Sequence, residues 1–166
     1  MMGLYFDELE IGRVIELGAY EFTVENIRAF KEKFAPVPFH LDDAEAAKGL
    51  FGQQVAVGFH LCAAWMPCFV GINTQERIRL AGAGKDLPEI GVGLGMSDIR
   101  WPRPVFAGDV VEYRTTLVAK RKLASRPNWG LLENLNEGLR DGEVVVRFSA
   151  KMLVARRKLS SFEIAF

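Results

Sequence analysis

The chain is poor in the features that mark secreted, metal-bound or nucleic-acid-binding proteins. Its 166 residues include 2 cysteines and 2 histidines, and 21 basic residues balance 21 acidic ones to a net charge of zero. Cys62 and Cys68 lie on different faces of an expected helix, about two turns apart, which excludes a disulfide between them. No Cys-x-x-Cys or His-Glu-x-x-His spacing occurs, so no metal is expected. A neutral chain exerts no overall pull on nucleic acid or anionic lipid, and neither is expected as a partner. The start, Met1 to Glu8, lacks a basic segment and an apolar run, so it reads as no secretory signal and implies a cytoplasmic protein. Val55 to Ile72 carries no formal charge, yet contains Gly58, His60, Pro67 and Gly71 and has no basic flanks. That pattern favours a buried helix over a membrane span.

What is present suits one globular domain over residues 1–166, with 49% hydrophobic residues to form a core. Val14 to Glu21 alternates as a strand does. Thr23 then caps a helix whose apolar face is Val24, Ile27, Phe30 and Phe34. Pro36 and Pro38 forbid its continuation, leaving Ala35 to His40 as a stiff, extended loop. Asp42 and Glu45 have capping-box spacing ahead of a short helix stopped by Gly49. A helix from Val57 to about Ile72 is apolar on every side, and Pro67 should kink it or end its regular part. Asn73 to Pro88 reads as the most flexible loop.

The second half reads as four strands: Ile90–Met96, Val110–Ala119, Trp129 to about Leu135, and Glu143–Ala155. Asp141-Gly142 forms the turn before the last of them. Gly91, Gly93 and Gly95 share one side of the first, a face that would admit a helix backbone or flat ligand. They lack dinucleotide-loop spacing. A long apolar helix beside an antiparallel sheet makes an α+β arrangement, with the sheet wrapped around the helix.

Three segments carry a resemblance. Pro38-Phe39-His40 is followed by Ala56-Val57-Gly58-Phe59-His60, and Arg100-Trp101-Pro102-Arg103-Pro104-Val105 precedes Gly108-Asp109. Together they resemble the MaoC-like acyl-thioester hydratases and dehydratases, whose active-site loop runs Asp-x-Asn-Pro-x-His or Asp-Pro-Gln-Pro-Phe-His. Ala35 stands where that family places its catalytic Asp, and Val37 where it places an amide. The resemblance covers nearly the whole chain. It implies a hot-dog fold, a homodimer or higher homo-oligomer, a place in fatty acid metabolism, and no cofactor beyond the coenzyme A or phosphopantetheine of the substrate.

The same resemblance makes His40 the catalytic residue. Pro38, Phe39, Val57, Gly58, Phe59 and His60 become candidates for substrate binding, with His60 left open between pocket lining and packing. Gly58 at a helix start can offer an N–H to a thioester oxygen. Lys120-Arg121-Lys122 and Arg156-Arg157-Lys158 read as solvated charge or, alternatively, as phosphate ligands for the acyl carrier. The expected activity is hydration or dehydration of an acyl thioester, weakened by Ala35. A hot-dog protein that binds an acyl thioester or a partner subunit without turnover is the alternative. A thioesterase is disfavoured, because no Asp or Glu lies between Glu45 and Glu76.

Overall fold

A computed structural model describes residues 2–157, so Lys158 lies outside the described residues. A single 3₁₀ turn, Phe6–Glu8, precedes strand β1, Val14–Glu21. Helices α1 (Val24–Phe34), α2 (Pro38–Leu41), α3 (Asp43–Ala47) and α4 (Gly58–Gly82) come next. Strands β2 (Gly93–Arg100), β3 (Val110–Lys122), β4 (Trp129–Arg140) and β5 (Glu143–Ala155) complete the chain. All pairings are antiparallel, and the five strands lie in one sheet in the order β1-β3-β4-β5-β2. This is the α+β arrangement expected of a hot-dog fold.

Alternation in β1 breaks at a bulge between Glu16 and Gly18, where Gly18 takes a positive φ of 94°. The extra residue reverses the facing of the rest of the strand, so Leu17 and then Tyr20 both turn toward the core. The Asp141-Gly142 turn has positive φ at both residues, as a two-residue hairpin with right-handed twist requires.

The core forms where Leu61, Cys62, Trp65 and Phe69 of α4 meet Tyr113, Val145, Val146 and Phe148 of the sheet. The Tyr113 hydroxyl donates to the Leu61 carbonyl at 2.8 Å, tying the sheet to the first turn of α4. Ala56 N–H donates to the Val105 carbonyl at 2.8 Å and links the segment before α4 to the segment before β3. Arg140 holds that second segment, donating to Pro104 O at 3.0 Å and to Asp109 at 2.5 Å.

Several expectations are corrected. Helix α4 runs ten residues past Ile72, so most of the expected Asn73–Pro88 loop is helical. Pro67 sits inside the helix and does not end it: Pro67 and Ala63, whose carbonyl loses its intrahelical donor, both lie on the exposed face of α4. Nor is α4 enclosed on all sides, since Phe59 is 61% exposed and Met66 and Val70 are about half exposed.

The expected extended loop before His40 contains a helical turn, α2, with Pro38 in its first turn where no N–H is needed. Asp42 caps α3 by accepting from Ala44 and Glu45 N–H groups, but Glu45 bonds Lys48 in place of reaching back. Strand β2 begins at Gly93, not Ile90, while β3 and β4 run on to Lys122 and Arg140. The glycine face does not pack on a helix: Gly93 and Gly95 border open space, and Gly91 lies against the Leu153 carbonyl of β5. On α1, Val24 and Phe34 are exposed, whereas Lys31 is buried.

Candidate functional site

The restraints on residues 56 and 104–105 bring two segments together beside α2 and α3. Between them lies a cavity of about 410 Å³ lined by Phe39 and His40, by residues 49–51 and 53–58, and by Trp101 and Arg103–Val105. Phe39, His40, Val57 and Gly58 are therefore brought into one wall. Pro38, Phe59 and His60 are not part of it.

His40 is held by backbone. Its Nδ1 lies 2.9 Å from the Ala35 carbonyl oxygen. A carbonyl only accepts, so Nδ1 carries the proton and the neutral ring keeps its basic lone pair on Nε2. Phe39 packs edge-on at 4.3 Å between ring centres. Ala35 thus positions the histidine through its main chain, although its side chain brings no carboxylate.

Gly58 opens α4, and its N–H belongs to the first turn, which has no intrahelical acceptor. A Cβ here would fall 2.6 Å from the Trp101 ring, so glycine is required for indole and helix start to approach. Phe59 turns outward and meets the same indole edge-on, 5.2 Å between centres.

His60 lies behind the cavity in packing. Its ring stacks on Phe30 at 4.5 Å and 8°, meets Phe22 edge-on at 4.9 Å, and is 5% exposed. Nδ1 is buried without a hydrogen-bond partner, and burial pushes the pKa down to about 4.

Of the basic strand ends, Lys120, Arg156 and Arg157 are engaged elsewhere. Lys120 donates to the carbonyls of Phe6 and Leu9 and lies over the Phe6 ring. Arg156 bonds Pro127 O and faces Asp7, while Arg157 pairs with Glu8 at 2.5 Å and covers Tyr5. Lys120, Arg156 and Arg157 fasten the N-terminal segment to the sheet, and none lines the cavity.

The structure adds wall residues that sequence reasoning passed over, Lys31, Gln53 and Gln54, and brings in Trp101 and Arg103 from the segment that carries the resemblance. Lys31 had a legible signal. It falls one turn after Ile27, on the face of α1 that must be buried, where a lysine is out of place. Among the lining residues there is no Asp or Glu. Among the described residues no group of three or more His, Cys, Asp and Glu side chains is placed to hold a metal ion, and no helix is long and apolar enough to cross a membrane.

No family model matches the chain, and no curated protein does. Solved structures do. A MaoC-like dehydratase from Rhodospirillum rubrum is 30% identical, with a TM-score of 0.77 over 95% of this chain and 100% of that one. An R-hydratase from Pseudomonas aeruginosa shares 22% identity, with a TM-score of 0.60 over 95% of this chain and 89% of its own. A Mycobacterium tuberculosis protein described as a double hotdog fold shares 17%, with a TM-score of 0.74 over 96% of this chain and 46% of that one. The last two bear on the fold alone. With five antiparallel strands about a long helix and 30% identity spread over nearly the full length of the Rhodospirillum protein, the chain belongs to the MaoC-like dehydratase family.

Proposed function

We propose that the chain binds an acyl thioester in the cavity shared by His40 and Gly58, and that it catalyses slow hydration and dehydration there. The observation that carries this reading is the Nδ1 contact of His40 to Ala35 O, which leaves Nε2 free as a base on the cavity wall. In the hydration direction Nε2 takes a proton from water as the oxygen attacks C3 of a 2-enoyl thioester. The imidazolium then returns that proton to C2. The Gly58 N–H, at the positive end of α4, stabilises charge developing on the thioester oxygen. One group must act in both proton transfers, and lack of a second positioned acid–base group costs about 10²–10⁴ in rate.

The test is the rate at which crotonyl-coenzyme A loses its enoyl thioester absorbance with purified wild type and with His40→Ala. Slow wild-type turnover that the substitution abolishes supports the proposal. Equal rates in both would overturn His40 as the base. Binding without turnover favours the second reading, a non-catalytic acyl-thioester protein, for which the carboxylate-free cavity wall speaks.

A homodimer is part of the same proposal. Phe59, Ala63, Met66 and Val70 form an exposed stripe along α4, and β2, an edge strand, exposes Leu94 and Met96. A second copy pairing along β2 and packing its α4 on this stripe would cover both.

A further inference from the structure

Lys31 is 2% exposed, and its Nζ donates to Gln54 Oε1. No ion pair involving Lys31 occurs among the described residues, and Asp43 acts on it only as a distant charge. Helix α1 has no freedom to present it otherwise, because Ile27, one turn earlier, anchors that face in the core. Both Lys31 and Gln54 line the cavity.

A buried ammonium with one neutral amide as partner is poorly compensated, because an amide oxygen replaces little of its lost hydration. Burial accordingly holds the Lys31 pKa below the ordinary lysine value. The other basic side chain in the wall, Arg103, is already paired with Glu143 at 3.0 Å. The wall therefore contains one cation without a carboxylate partner among the described residues, in a pocket otherwise made chiefly of apolar groups such as Phe39, Leu50, Phe51 and Val55. A ligand supplying an anion inside this pocket would complete the site.

Resting on the acyl-thioester reading, we infer that Lys31, oriented by Gln54, receives a carboxylate on the acyl group, so that the substrate class is a carboxylated acyl thioester. A carrier phosphate is the less suitable anion. Its several oxygens require solvent or more donors than the one ammonium and one amide gathered here.

Binding of valeryl- and glutaryl-coenzyme A, measured by calorimetry, isolates the acyl carboxylate, because both ligands carry the same phosphates. Wild type should bind the glutaryl thioester at least about 10-fold more tightly. Lys31→Met should erase that preference while leaving valeryl affinity within about 3-fold, and Lys31→Gln serves if the methionine variant does not fold. Equal wild-type affinities would overturn the inference and leave the thioester reading standing. A preference that survives both substitutions would overturn it too, as would equal weakening of both ligands, which would assign Lys31 to a phosphate. If neither thioester binds, the thioester reading falls, and free glutarate decides the rest. Thermal stabilisation of wild type but not of Lys31→Met by glutarate keeps the anion site, and none in either ends it.

Discussion

Ala35 caps the C-terminus of α1 four residues after Lys31 and holds His40, so both residues bear on the same cavity, Lys31 by lining it and Ala35 through the histidine. Restoring a carboxylate with Ala35→Asp should raise crotonyl-coenzyme A hydration, but Lys31 at i−4 can capture the new carboxylate as an ion pair. The double variant Ala35→Asp/Lys31→Met should therefore give the larger gain, at least about 10²-fold over wild type. Adding His40→Ala should remove it. A double variant no faster than wild type would show that the cavity no longer positions water.

His60 makes a different prediction. Its folded pKa of about 4 lies below the unfolded value near 6.5, so between those limits the unfolded chain binds a proton that the folded chain does not. Stability should fall as pH drops from 6.5 to 4, by on the order of 3 kcal/mol, and this term should be absent above 6.5. Urea midpoints against pH measure it. His60→Phe, which keeps the ring stacked on Phe30, should flatten that part of the profile.

At the scale of elements, α4 combines a hydrophobic stretch readable from composition with an extension that is not. Asn73 to Gly82 looks like a polar loop, yet Asn73 donates to Phe69 O at 2.8 Å and accepts from Met2 N–H at 2.8 Å. Arg77 donates to the carbonyls of Met2 and Pro88. Contacts with segments distant in sequence keep the helix going, and no local signal announces them. Pro67 within it costs a backbone hydrogen bond. Pro67→Ala should stabilise the protein by about 1–2 kcal/mol, the helix gain less the entropy returned to the unfolded chain. A raised urea midpoint with unchanged slope, at fixed protein concentration, would show it.

For the whole molecule the open question is what covers α4 and β2. Their exposed apolar residues predict a dimer, which light scattering should find at about twice the chain mass. Met66→Glu should shift it toward monomer, because burying an unpaired carboxylate in the interface is costly. A wild type that is monomeric at high concentration would refute the stripe as an interface.

Alternation, caps and turn residues determined the five strands, the starts of α1 and α3 and the Asp141-Gly142 hairpin, because these are local rules that a linear string carries. Three short motifs sufficed for the family and placed Gly58 at a helix start, whereas His40, expected on an extended loop, lies in the turn of α2. Tertiary structure alone decided that His60 faces aromatic rings and not the cavity, that Lys120 and Arg156 anchor the N-terminal segment, and that Lys31 enters the site wall. Each of these depends on which surfaces meet when the sheet closes on α4, and burial, unlike periodicity, is settled only by partners far away in the chain.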